Sequence, residues 1–229
     1  MKNNTIQHIF FDLDHTLWDF DKNSEMAFAT IFEKNHPEIA INDFIEVYAP
    51  INQACWKLYQ YDKITHEELR YKRLKDSFDA LNYAIPDSLI HQIAEDYISI
   101  LPDNNHLFDG TIELLNYLNT KYHLHIITNG FANVQYKKIA NSKIDTYFKT
   151  ITNSEMAGVK KPNPIIFQYA LDLAQAKKEN SIMIGDSLEA DVQGAIDFGI
   201  EALFFNPNKE TSPEGIIEIN HLLELKNYL

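Results

Sequence analysis

Two hydrophobic rhythms divide the chain. In five short stretches apolar residues run almost without interruption: IQHIFFDL (6–13), HLHIIT (123–128), FKTITN (148–153), SIMIG (181–185) and EALFF (201–205). Their length and their richness in Ile, Phe and Thr predict β-strands, and the near-continuous apolar character predicts burial on both faces. Between them, 111–121, 131–142, 164–176 and 187–198 repeat their apolar positions at helical spacing. In the last of these Leu188, Val192, Ala195 and Ile196 share a face, and Gly199 stands where a C-terminal cap belongs. Strand–helix alternation of this kind predicts a parallel sheet covered by helices on both sides.

From about 20 to 100 the helical rhythm runs alone. THEEL offers Thr65 as an N-cap with Glu68 three residues on, a capping-box pattern, and Leu74, Phe78 and Leu81 follow on one face. Leu89, Ile90, Ile93, Tyr97 and Ile100 repeat the spacing, while Pro50 and Pro86 mark breaks or helix starts. All seven glycines lie at position 110 or later, where tight strand–helix turns are expected. LPDNNHLFDG (101–110) reads as the return linker of a helical block inserted after the first strand. The expected division is a sheet-bearing core of residues 1–17 and 104–229 with a helical insertion of 18–103, and there is no internal repeat.

Composition narrows the function classes. The 229 residues are 45% hydrophobic and 12% aromatic, enough for a substantial core. A formal net charge of −13 argues against nucleic-acid polymers and anionic membranes, which attract basic surfaces, but allows a small anion in a locally positive pocket. One cysteine, Cys55, excludes an intramolecular disulfide framework and reads as a small buried hydrophobe. The start MKNNTIQHIFFDLDH has neither the pattern of a signal peptide nor that of a membrane anchor, so a cytoplasmic protein is expected.

The candidate chemistry gathers at strand ends. In an open parallel sheet ligands bind at the carboxyl ends of the strands. Those ends carry Asp12 and Asp14 after the first strand, Thr128-Asn129-Gly130 after the second and Gly185-Asp186-Ser187 after the fourth, with Lys161 just ahead of a helix that opens at Pro164. A divalent cation bridging Asp12 and Asp186 would relieve carboxylate repulsion, and Mg²⁺ is commonly held by one or two carboxylates plus substrate phosphate. Lys161, the Thr128 hydroxyl and free N–H groups near Asn129 and Gly130 suit phosphate oxygens. Asp12 is then placed to attack phosphorus, with Asp14 protonating the leaving oxygen and later deprotonating water.

DLDHT from Asp12, ITNG (127–130), KKPNP (160–164) and GDSLEAD (185–191) resemble, in order, the four motifs of haloacid dehalogenase (HAD) superfamily phosphatases, over nearly the whole chain. The resemblance implies a Rossmann-like α/β core with an inserted α-helical cap domain. It implies Asp12 as nucleophile, Asp14 as general acid/base, and Thr128 and Lys161 as phosphate-binding groups. It also implies Mg²⁺ on Asp12, the Asp14 backbone carbonyl and Asp186, with Asp191 as support behind them. DLDHTLWDF and INQACWKLYQYDKITHEELRYKR resemble the pyrimidine 5′-nucleotidase subgroup, which implies a nucleoside monophosphate as the small phosphorylated partner. Members with dehalogenase activity lack an acid two residues after the nucleophile, so Asp14 argues against dehalogenation.

Competing readings are weaker. No two glycines stand two apart, so the dinucleotide fingerprint is absent, and Ile200 occupies the position where a phosphate loop at Gly194 and Gly199 requires Lys. His123 and His125 alternate within a predicted strand and are expected to pack rather than bind metal. Ser154 and Ser187 lack a His/Asp pattern for acyl transfer. Of Trp18, Phe20, Trp56, Tyr59 and Tyr61, the first two follow the catalytic turn and are the better candidates to stack on a base, with Trp56 a further one. A sugar phosphate or phosphoglycolate substrate, a phosphomutase, and a non-catalytic phosphate-ligand binding protein remain as alternatives, as do monomer and homodimer.

Overall fold

The computed structural model describes residues 6–35 and 38–229. β1 (His8–Phe11), β2 (His123–Thr128), β3 (Phe148–Asn153), β4 (Ser181–Gly185), β5 (Glu201–Phe205) and β6 (Glu218–Ile219) form one sheet in the order β3-β2-β1-β4-β5-β6. Every pairing is parallel. β1 is shorter than the apolar run 6–13 because the backbone turns at Leu13, whose carbonyl accepts from the amides of Thr16, Leu17 and Trp18 at 3.4, 3.0 and 2.9 Å. β6 has only two residues and so offers no apolar run to read.

Four helices follow β1: α1 (Phe20–Asn35), α2 (Ile41–Gln60), α3 (His66–Ala80) and α4 (Asp87–Ile100). Residues up to Phe20 together with Asn105–Leu229 form one compact unit, and Asp21–Asn104 forms a second. Trp18 and Phe20 therefore fall in the sheet-bearing unit rather than the helical one. Within the helical unit Phe28, Phe32, Phe44, Tyr48, Phe78 and Tyr97 pack ring against ring. The capping box at the start of α3 is formed: the Glu68 amide donates to Thr65 Oγ1 at 3.1 Å and the Thr65 amide to Glu68 Oε2 at 2.7 Å. Pro86 starts a helix as expected, but Pro50 does not interrupt one: α2 runs through it, forgoing the rung that its missing N–H would supply.

In the sheet-bearing unit come α5 (Thr111–Leu118), α6 (Ala132–Asn141), α7 (Ser154–Ala157), α8 (Pro164–Ala174) and α9 (Gly194–Phe198). The predicted helix over 187–198 is split. Its first part, Leu188–Gln193, is π-helical, with the Val192 amide reaching back five residues to the Ser187 carbonyl at 3.2 Å. One face of the sheet buries Phe10, Ile127, Met183 and Phe204 against Ile166, Phe167, Ala170 and Leu171 of α8. The alternate positions Ile9, Phe11, Ile126 and Ile184 point to the other face and are also buried. Among the described residues no helix is long and apolar enough to cross a membrane.

This strand order positions the site. The chain lays β2 and β3 on one side of β1, then returns to place β4 on the other side. The carboxyl ends of β2, β1 and β4 thus lie side by side where the winding reverses, the place at which such sheets open a crevice.

The amino ends carry histidines. His125 is buried, its Nε2 lies 3.1 Å from His8 Nδ1, its Nδ1 lies 2.8 Å from Thr150 Oγ1, and its ring stacks on Phe10 at 4.7 Å. It packs, as its alternation suggested. Burial first, then His8, His123 and Lys149, push the His125 imidazole down from 6.5 to about 3. His125 is thus neutral in the native state, while the unfolded chain takes up a proton below about 6.5. Its contribution to stability is complete above 6.5 and is lost as pH falls from there toward about 3. His125→Gln should flatten the fall of the urea midpoint between pH 6.5 and 4 relative to the parent protein, with little change at pH 8. Parallel curves for the two proteins would exclude this linkage.

Candidate active site

Lys161 is the centre of the site. Its side chain is only 2% exposed, and its ammonium donates to Asp12 Oδ1 at 2.5 Å, to Asp191 Oδ1 at 2.6 Å and to the Ile127 carbonyl at 2.7 Å. All three ammonium protons are therefore committed. The Lys161 backbone is clamped by Asn129, whose Oδ1 accepts from the Lys161 amide at 2.7 Å and whose Nδ2 donates to the Lys161 carbonyl at 3.1 Å. Asn129 is in turn held through its carbonyl by Ser154 Oγ at 3.0 Å. The side chain of Asn129 thus fastens the lysine segment to the end of β2.

Asp12 follows β1 directly, with its amide still donating to the Ile184 carbonyl of β4 at 2.9 Å. Asp186 follows β4 and exchanges bonds with Thr16: the Thr16 hydroxyl donates to Asp186 Oδ1 at 2.9 Å, and the Asp186 amide donates to Thr16 Oγ1 at 3.0 Å. Asp191 projects from the π-helical turn. Its Oδ2 accepts from the Ser187 amide at 3.0 Å, and it fills the space where a side chain on residue 185 would begin. A Cβ on Gly185 would lie 2.2 Å from Asp191 Oδ2, so that glycine is required by close approach.

Asp12, Asp186 and Asp191 each bring one oxygen within 4.8 Å of the others. Three carboxylates around one ammonium leave two negative charges uncompensated when all are ionised. Burial, and then repulsion from Asp191, push the Asp186 carboxyl up to about 8. Burial likewise raises Asp12 well above the ordinary carboxylate range, against the opposing pull of Lys161. For Lys161, burial alone would lower the ammonium, but Asp12 and Asp191 outweigh it and push it up. The excess charge and the all-oxygen donor set match a hard divalent cation.

Asp14 takes a separate place. Its Oδ1 accepts from Lys138 Nζ at 2.6 Å and its Oδ2 from Gln135 Nε2 at 2.9 Å, both on α6. The same Gln135 nitrogen donates to Thr128 Oγ1 at 2.8 Å. The turn is closed by Trp18 N to the Leu13 carbonyl and His15 N to the Trp18 carbonyl, both 2.9 Å, bonds that do not use the Asp14 carbonyl. His15 adopts a left-handed φ of 61° in this turn.

Two expectations need correction. The Gly130 amide is not free, for it donates to Thr128 Oγ1 at 3.1 Å. Trp18 does not present a stacking surface: it is wholly buried, with the Lys138 ammonium 4.2 Å from its ring centre. Phe20 is also buried, its ring centre 5.2 Å from the same ammonium. Trp56, on α2, packs edge-on against Tyr59 at 5.6 Å. Asp12, Asp14, Thr128, Asn129, Gly130, Lys161, Asp186 and Asp191 do come together at the strand ends. Thr16, Gln135 and Lys138 were not foreseen, and the only trace of the last two was polar residues on the otherwise apolar face of the 131–142 helix, beside Val134 and Ile139.

A parallel sheet of this order with a lysine–carboxylate cluster at its carboxyl edge agrees with a family of hydrolases. The haloacid dehalogenase-like hydrolase profile matches residues 6–199, and the chain belongs to that family. It is similar to the HAD-hydrolase YfnB of Bacillus subtilis, 30% identical over 96% of each chain. A magnesium-bound crystal structure of YfnB matches with a TM-score of 0.87 over 97% of each chain. It is also similar to the pyrimidine 5′-nucleotidases YjjG of Escherichia coli, 32% identical over 96% of each chain, and PynA of Streptococcus pneumoniae, 32% identical over 87% of this chain and 84% of that one.

Lys161→Met would leave Asp12 and Asp191 buried without their cation. Removing one partner of such a buried set costs about 3–5 kcal/mol, so the urea midpoint should fall sharply. An unchanged midpoint would show that the cluster does not depend on this ammonium.

Proposed function

We propose that this HAD-family phosphatase is Mg²⁺-dependent and hydrolyses nucleoside 5′-monophosphates, pyrimidine ones by preference, through an aspartyl-phosphate on Asp12. The observation that carries the proposal is the placement of Asp12 at the end of β1, orientated through one oxygen by Lys161 and flanked by Asp186 and Asp191. Asp12, the Asp14 carbonyl and Asp186 would hold Mg²⁺, with Asp191 behind them. When bound, the ion offsets the carboxylate charge and stabilises charge developing on the phosphoryl oxygens.

The residues then divide the work. A carboxylate oxygen of Asp12 forms a bond to phosphorus as the P–O bond to the nucleoside breaks, and Asp14 gives its proton to the departing oxygen. In the second half Asp14 takes a proton from water, the water oxygen bonds to phosphorus, and the Asp12–phosphorus bond breaks to release phosphate. Thr128 Oγ1 already accepts two hydrogen bonds, from Gly130 and Gln135, so its own proton is left to donate to a phosphoryl oxygen. Lys161 keeps Asp12 and Asp191 compensated throughout. The similarity to YjjG and PynA supports the nucleotide as substrate. The excess of acidic over basic residues supports a small-molecule substrate rather than a polymer.

Phosphate release from a panel of nucleotides, sugar phosphates and phosphoglycolate, with Mg²⁺, tests this. Pyrimidine monophosphates should give the highest kcat/KM, and EDTA should abolish turnover. Asp12→Asn should lower kcat by roughly 10⁴-fold or more while leaving the protein folded. A preference for sugar phosphates would overturn the nucleotidase assignment, and turnover surviving in Asp12→Asn would overturn the covalent route.

A further inference from the structure

We propose that Gln135 and Lys138 are positioning residues that hold Asp14 in register with Thr128 for protonation of the leaving oxygen; this rests on the hydrolase reading above. Asp14 lies in an irregular turn with its side chain 22% exposed, so neither a helix nor a strand fixes its rotamer. Both its oxygens are instead held from α6, Oδ1 by the Lys138 ammonium at 2.6 Å and Oδ2 by Gln135 at 2.9 Å, and the second lone pair of Oδ2 is left to carry the proton. The two residues stand three apart on the helix and so present neighbouring side chains.

Gln135 does more than hold Asp14. Its amide nitrogen has two protons, and they go to Asp14 Oδ2 and to Thr128 Oγ1. One planar group thereby sets the distance between the proton-transferring carboxylate and the hydroxyl aimed at the phosphoryl group. The room for it comes from Gly130, where a Cβ would lie 2.5 Å from the Gln135 amide carbon and nitrogen. A side chain at 130 would displace the glutamine.

Lys138 is 3% exposed at its side chain and lies over the rings of Trp18 and Phe20, at 4.2 and 5.2 Å. A buried ammonium against aromatic faces is attracted by the rings and has little freedom to swing away. The aromatic residues of DLDHTLWDF thus confine the cation that fixes Asp14. Positioning of this kind matters because a small displacement of a proton donor from its acceptor is costly in rate.

A pair that merely fastened α6 to the turn would affect all substrates alike. A pair that positions Asp14 for leaving-group protonation affects only esters whose leaving group needs the proton. The experiment compares kcat/KM, which reports the steps up to phosphoryl transfer, for a pyrimidine nucleoside monophosphate and for p-nitrophenyl phosphate with Mg²⁺. The nucleoside alkoxide needs a proton to depart, whereas p-nitrophenolate leaves without one. Lys138→Met, which leaves Gln135 and Thr128 in place, should lower kcat/KM for the nucleotide by about 100-fold and for the aryl ester by less than about 5-fold, within the range general acid catalysis supplies. Gln135→Met, which also frees Thr128, should lower both, but the nucleotide by at least about 10-fold more. Lys138→Arg, which keeps the cation, should recover most of the nucleotide rate. The ratio of the two rates within one preparation does not depend on how much protein is folded, so a destabilised variant still gives an answer. Equal losses on both esters would overturn the positioning role. Parent protein that cleaves neither ester would overturn the hydrolase reading and this inference with it.

Discussion

Two buried carboxylates, Asp12 and Asp191, and the half-buried Asp186 share the end of the sheet, and Lys161 supplies the positive charge placed among them. Its ammonium is saturated by Asp12, Asp191 and the Ile127 carbonyl, so it ties the ends of β1 and β2 to the π-helical turn after β4. Much of the local architecture follows from bringing it there. Asn129 clamps its backbone, Gly185 leaves room for Asp191, and the Ser187 amide holds the other Asp191 oxygen. The ammonium still leaves the cluster short of positive charge, and burial, then repulsion from Asp191, push Asp186 up to about 8. That shortfall, with an all-oxygen donor set, is the electrostatic setting that suits a hard divalent ion.

The second organising feature is the separation of the two aspartates that open the motif. Asp12 belongs to the lysine–carboxylate cluster, while Asp14 belongs to α6 through Gln135 and Lys138. One is in a site with excess negative charge, and the other faces a paired ammonium and an amide. Residues of one short segment thus enter different electrostatic environments. Trp18 belongs with this second group, since it confines Lys138 rather than offering a surface to a base.

The sheet, its parallel sense and the helical insertion were legible because each rests on a period in the sequence. Five of the strands are apolar runs, and the helices keep their apolar stripes. The residues that gather at the carboxyl edge of the sheet were legible because their motifs fall at strand ends. What escaped were features without a period. β6 is two residues long, the turn at Leu13 shortens β1, and the π-helical segment carries the same apolar stripe as an ordinary helix. Pro50 read as a breaker, yet α2 tolerates it.

Thr16, Gln135 and Lys138 escaped for a different reason. Each is an ordinary polar residue in its own neighbourhood, and its bond to Asp186 or to Asp14 spans more than a hundred residues of chain. The sequence by itself determined which chemical groups stand at the carboxyl ends of the strands, because strand ends are set by local hydrophobic pattern and turn chemistry. Only the tertiary structure decided how those groups are paired: Lys161 with Asp12 and Asp191, Thr16 with Asp186, and α6 with Asp14. Hydrogen bonds and ion pairs depend on distances of a few ångströms, and for residues so far apart in the chain those distances are created by packing, not by local pattern.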